Sequence, residues 1–251
     1  MNPVNPEIQF RTRFKPDYTG MTLTELEFGT MRNHKGEMQT YKLDLITPPT
    51  LPEKPMPVVI FVHGGAFQQP CDKRQAYICL FARSLTEAGY AVVSPDYPLF
   101  DDEEDMKANG GDDAGCAKAS EAVHIAYGYL QKSAAKLHLD MDRIAIMGGS
   151  AGGMTGFFTI ADWEDHYCAF VNLWGAPKEA PDLKKFPPTL SVHGTADKAV
   201  LYEWELPIQQ RLEELHIPHE LITLEGSGHT PLDRMGDFLP QVMKLLDSHL
   251  K

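Results

Sequence analysis

Apolar and polar residues alternate with period two over residues 22–30 and again over 39–46, and the intervening Asn33-His34-Lys35-Gly36 has the composition of a hairpin turn. Two antiparallel strands are therefore expected to open the fold. Past a Pro-rich connector at 48–57, Val58-Val59-Ile60-Phe61-Val62 is continuously apolar, the pattern of a strand covered on both faces. From there the periodicity switches back and forth. It predicts a helix over 75–88, a strand over 90–94, a helix over 113–136, a strand over 143–147 and a helix after residue 150. Strands follow at 169–174 and 189–193, then a helix over 204–216, a strand over 220–224 and a terminal helix over 232–250. Strands interleaved with helices imply an α/β fold with a mostly parallel central sheet of about eight strands and helices on both faces. One domain over residues 1–251 accounts for all of it, with no internal repeat, and only residues 1–20 stand outside the pattern as an extension that could border a site.

Composition narrows the function classes. The 251 residues hold 23 Lys plus Arg against 35 Asp plus Glu, a formal charge of −12. With no cationic cluster, neither nucleic acid nor an anionic membrane is an expected partner. No apolar run approaches the ~20 residues of a membrane span, and the first residues lack the apolar centre of a secretory signal, so a cytoplasmic protein is expected. Cys71, Cys79, Cys116 and Cys168 form no Cys-x-x-Cys pair and read as reduced, buried thiols; no metal site and no cofactor is expected. The acidic run 101–105 lacks the ligand spacing of a calcium loop and reads as a solvated loop.

The chemistry concentrates at Gly148-Gly149-Ser150-Ala151-Gly152, a G-x-S-x-G between a predicted strand and a predicted helix. Eight serines and 20 glycines in 251 residues give about 0.05 chance occurrences of that pattern, so accident is the weaker explanation. A serine at such a strained turn has its hydroxyl held out of the sheet above a helix N-terminus, where developing negative charge is stabilised. The flanking glycines are needed because a side chain there would meet neighbouring backbone. A serine hydroxyl also needs a general base, and the base an orienting carboxylate. Asp197 follows the 189–193 strand and His229 follows the 220–224 strand, so Ser150, Asp197 and His229 stand in the order, and at the strand ends, that a triad on this kind of fold requires. For the oxyanion hole, His63-Gly64-Gly65-Ala66-Phe67 follows the apolar 58–62 strand. Gly65 and Ala66 are the donors this loop offers, Ala151 is the third, and Gly64 in place of Ala66 is the open alternative. His63 is expected to brace the loop. His193 reads as a decoy, too close to Asp197 in sequence to serve it as partner.

These residues resemble the α/β-hydrolase superfamily, and within it the esterase/lipase group that includes hormone-sensitive-lipase relatives and small bacterial acetyl-type carboxylesterases. The resemblance runs from the loop at His63 to His229. Ser94-Pro95-Asp96-Tyr97 is similar to the family's strand-end Asp-Tyr, and His193-Gly194-Thr195-Ala196-Asp197 to its acid loop. The oxyanion loop departs from the hormone-sensitive-lipase pattern by reading HGGA, without a third glycine. The resemblance implies a serine carboxylesterase that hydrolyses short-chain, acetyl-type esters, acetylated sugars among them, through an acyl-enzyme. An arylformamidase or small peptidase with the same triad is the enzymatic alternative, and a ligand-binding module the non-enzymatic one.

The 47 positions from Ser150 to Asp197 leave no room for a large cap domain. A fairly open site is expected, bordered by residues 1–20, 68–74, 101–111 and 174–186, with Phe67 and Trp174 as candidates to line the acyl side. A small ester is the expected partner, and the oligomeric state, including a homo-oligomer, stays open.

Overall fold

The computed structural model describes residues 16–251. Its eight strands form a single sheet in the order β1-β2-β4-β3-β5-β6-β7-β8. They are β1 (Thr22–Arg32), β2 (Met38–Thr47), β3 (Met56–Val62), β4 (Ala91–Pro95), β5 (Leu139–Gly149), β6 (Ala169–Leu173), β7 (Thr189–Gly194) and β8 (His219–Leu224). Strand β2 is antiparallel to both of its neighbours, whereas β4, β3, β5, β6, β7 and β8 are parallel throughout, so β2 alone runs against the rest.

The inner strands read as unbroken apolar runs because each face of the sheet is covered. Val58, Ile60 and Val62 enter one core with the helices α3 (Gly111–Leu137), α4 (Ala151–Asp162) and α5 (Tyr202–Glu214). Val59 and Phe61 enter the opposite core, against α1 (Ala76–Glu87) and α6 (Met235–Leu250). This is the period-two alternation of a strand, with both faces apolar. Because successive parallel strands all end on one side, the loops after β3, β5, β7 and β8 meet at a common edge, where α/β sheets place their sites.

Three features depart from the sequence reading. The acidic run is not simply a loop, since α2 (Glu103–Ala108) forms within it. Asp102 caps this helix through the Asp105 N–H, and Glu103, Glu104 and Asp105 lie in the first turn, where negative charge suits the helix dipole. Strand β3 begins at Met56, two residues before the apolar run, with Met56 and Pro57 paired to Leu139 and Asp140 across a register shift that accommodates the proline. The C-terminal segment enters through a short 3-10 turn, Leu232–Arg234, before α6.

Cys71, Cys79 and Cys116 are buried and Cys168 is partly exposed. Among the described residues no helix is long and apolar enough to cross a membrane. Residues 1–15 of the N-terminal extension lie outside the described residues. The remainder, 16–20, rests on α1: Arg83 donates to the carbonyls of Asp17 and Thr19, and the Cys79 thiol to that of Asp17.

Candidate active site

Strand β5 ends at Gly149 and α4 begins at Ala151, so the chain reverses on Ser150 alone. Ser150 adopts φ 56° and ψ −124°, a left-handed conformation that L residues avoid. The turn closes only because its flanks lack side chains. A Cβ at Gly148 would lie 2.2 Å from the Gly152 carbonyl oxygen, and one at Gly152 would lie 2.1 Å from that of Val62. The elbow is further pinned by the Ser150 N–H, which donates to the Leu173 carbonyl at 2.9 Å.

The structure brings Ser150, His229 and Asp197 into one hydrogen-bonded line. The Ser150 hydroxyl is 2.8 Å from His229 Nε2, and His229 Nδ1 is 2.6 Å from Asp197 Oδ2. Because a carboxylate only accepts, Nδ1 carries the proton and Nε2 is left to accept from the serine. The other Asp197 oxygen accepts from the backbone of Ala199 and Val200, at 2.9 and 3.1 Å. Burial opposes charge on Asp197, but hydrogen bonds from His193, His229 and the Ala199 amide outweigh it and hold its carboxyl well below the usual range.

The loop after β3 packs directly on the elbow. Gly64 is not a free donor there, because its N–H is held by the Tyr77 hydroxyl at 2.7 Å, which closes the alternative left open by the sequence. Gly65 and Ala66 give their N–H to no other protein group among the described residues, and Ala151, first in α4, has no intrahelical acceptor for its own. Ala151 adjoins Ser150 in sequence, and Gly64, which precedes Gly65 and Ala66, packs on it: a Cβ at Gly64 would lie 3.1 Å from that of Ser150. His63 braces the loop as expected: its Nδ1 lies 2.9 Å from the Gly64 carbonyl and its ring stacks on Tyr97, whose hydroxyl donates to the His63 carbonyl at 2.7 Å.

Two expected lining residues are corrected. Phe67 is fully buried, pressed against Gly115 and tilted on Tyr97, and Trp174 is buried between Tyr77 and Phe238. Both follow strands through left-handed backbone (φ 57° and 45°), which turns their rings into the two cores instead of toward a ligand. His193 is corrected as well. The chain turns back after β7, with the Asp197 N–H on the Gly194 carbonyl, and Asp197 Oδ2 comes within 3.3 Å of His193 Nε2.

Sequence reasoning missed Gln75 and Tyr77. At the start of α1 they grip both sides of Gly64, Gln75 Nε2 donating to its carbonyl at 2.8 Å. Their only signal is a pair of hydrogen-bonding residues at the start of a helix. A cavity of about 170 Å³ lies beside them, lined by Pro16, Pro70, Cys71, Asp72, Arg74 and Gln75. Within residues 174–186, Ala176, Leu183 and Phe186 are buried in the core. Among the described residues no group of His, Cys, Asp and Glu converges as a metal site.

Residues 43–162 match the BD-FAE family model. No curated protein matches the sequence. Among solved structures, a bacterial heroin esterase superposes with a TM-score of 0.72 at 19% identity, covering 94% of this chain and 86% of that one. MGS-M1, an alpha/beta hydrolase enzyme from a Medee basin deep-sea metagenome library, gives 0.69 at 19% identity over 91% of this chain and 99% of that one. Esterase 2 of Thermogutta terrifontis gives 0.66 at 18% identity over 92% and 93%. On its strand order, its elbow and these likenesses, the chain has the α/β-hydrolase fold.

Proposed function

We propose that the protein is a serine carboxylesterase acting on short-chain, acetyl-type esters, acetylated sugars among them. The observation that carries this reading is the continuous line from Ser150 Oγ through His229 to Asp197, at 2.8 and 2.6 Å, beside uncommitted amides. His229 removes the serine proton as Ser150 attacks the ester carbonyl, and Asp197 stabilises the imidazolium that forms. The tetrahedral oxyanion is met by the N–H groups of Gly65, Ala66 and Ala151. His229 returns its proton to the departing alcohol and then activates the water that releases the acid. The esterase neighbours and the BD-FAE match favour an ester as the bond cleaved. Between Ser150 and Asp197 the chain forms only α4, β6, β7 and the segments that join them, with no inserted domain, which favours small substrates.

The test is turnover of p-nitrophenyl acetate by the wild type and by Ser150→Ala. Loss of the nucleophile is expected to lower kcat on the order of 10³-fold or more, and equal rates would overturn the assignment. Running a formyl anilide and an aminoacyl anilide in parallel distinguishes an esterase from an arylformamidase or a peptidase with the same triad.

A further inference from the structure

Beside the triad sits a second imidazole that the proton shuttle does not use. His193 ends β7 and is completely buried. Its Nε2 lies 2.9 Å from the Val200 carbonyl oxygen and 3.3 Å from Asp197 Oδ2, the oxygen that also receives His229 Nδ1. Both neighbours are acceptors, so Nε2 carries a proton. The other nitrogen, Nδ1, has no hydrogen-bond partner among the described residues and faces Glu205 Oε2 at 3.9 Å.

Glu205 explains that direction. It is completely buried on α5, and each of its oxygens receives an amide N–H: Oε2 from Asn172 Nδ2 at 3.1 Å and Oε1 from Gln209 Nε2 at 2.6 Å. The Asn172 amide is not free to flip, because its Oδ1 accepts the Gly175 N–H at 3.2 Å. Two donors and no acceptor suit a carboxylate, not an acid. Held only by neutral amides at this depth, that carboxylate needs a cation. The groups around it and around His193 are Asn172 from β6, Tyr202 and Gln209 from α5, Asp197 from the loop after β7 and His229 from the loop after β8. Of the residues here that can carry positive charge, His193 alone borders both carboxylates.

Resting on the triad assignment above, we propose that His193 is a positioning residue: a buried imidazolium, shared by Asp197 and Glu205, that fixes the triad acid and tempers the basicity Asp197 confers on His229. Burial works against this cation, but pairing with Asp197 and Glu205 and the bond to the Val200 carbonyl prevail and push His193 up to about 9. The charge balance then favours catalysis. With His193 charged, protonation of His229 leaves two cations against two carboxylates, so the proton is taken readily and given back readily. With His193 neutral, two carboxylates face His229 alone and the proton is held too tightly for transfer to the leaving group.

The test uses long-range ¹H–¹⁵N spectra of histidine-labelled protein between pH 5 and 10, with His193 assigned through His193→Gln. At pH 7.5 the His193 ring is expected to carry protons on both nitrogens. In Glu205→Gln it is expected to lose the second one at least about one pH unit lower than in the wild type. The catalytic readout is the rate at which a fluorophosphonate labels Ser150. In His193→Gln the acid limb of its pH profile is expected to move up by about one unit, roughly a tenfold loss on the acid side. A residue that merely packs would lower the plateau and leave the limb in place. A neutral His193 at pH 7.5 in the wild type, or an unmoved limb in folded His193→Gln, overturns the proposal. The spectra need no substrate, so a doubly protonated His193 in a protein that hydrolyses no ester would refute the esterase reading while upholding the cation.

Discussion

Tyr77→Phe isolates one oxygen atom that the structure places behind the loop after β3. The ring stays, with its edge contacts to Phe61 and Trp174, while the Gly64 N–H loses an acceptor at 2.7 Å in a buried setting. An orphaned buried amide costs about 1–3 kcal/mol. The cheapest relief is rotation of the His63–Gly64 peptide; Gln75 holds the carbonyl of the following peptide, so the rotation strains the two amides that come next. Those are Gly65 and Ala66, already in left-handed backbone at φ 115° and 52°. If the cost falls on the aligned loop, transition-state stabilisation drops by the same ~1–3 kcal/mol and kcat by about 5- to 150-fold. KM should hardly move, because the ground-state carbonyl draws little on these donors. Steady-state kinetics on p-nitrophenyl acetate, paired with thermal denaturation of both proteins, is the assay. A variant with wild-type kcat and a lowered Tm would refute the reasoning, since the bond would then serve the fold and not the alignment of the donors.

Two further outcomes follow from the same region. Gly152→Ala should destabilise the fold by at least about 3 kcal/mol in chemical denaturation, because its Cβ would lie 2.1 Å from the Val62 carbonyl oxygen and 2.7 Å from that of His63, atoms of a central strand and the loop it leads into; an equally stable, active variant would sink the steric account. Negatively charged esters should turn over about tenfold more slowly than neutral isosteres at low salt, with the gap closing above ~0.5 M, because Phe100 ties the acidic run that follows it to the loop after β3 through Phe67 and Gln69. Equal kcat/KM at low ionic strength would assign residues 101–105 to solubility alone.

The parts of the molecule legible in the sequence are those whose cause is local. The 58–62 run is apolar at every position because β3 is covered on both faces, and the elbow's glycines report a clash within one turn. Ser150, Asp197 and His229 are legible as a set because each lies just past a strand end, so chain order alone brings them to one edge of the sheet. What escaped depends on contacts across the chain or on backbone direction. Met56 and Pro57 are strand only because Leu139 and Asp140 pair with them. Gln75 and Tyr77 belong to no motif, and their role comes from Gly64, 11 and 13 residues away. His193 lies four residues from Asp197, a separation that forbids contact only if the strand continues. Here it ends at Gly194 and turns back on itself.

Phe67 and Trp174 show how the two kinds of error connect. Near a catalytic motif, an aromatic residue invites a role in the pocket, and the sequence offers nothing to turn it inward. The structure gives both residues left-handed φ, and the same holds for Ala66, Ser150 and Thr230: five of the seven non-glycine residues so strained among those described flank the site. Each such residue costs of order 1–3 kcal/mol and persists only where its surroundings over-determine it. The two buried rings are what over-determine this one. Phe67 anchors the loop after β3 in one core, and Trp174 anchors the loop after β6 in the other, its backbone N–H on the Val192 carbonyl at 2.7 Å. Core packing and site geometry are thus one piece of physics here, for the burial of two aromatic side chains offsets the strain that holds the reacting groups in place.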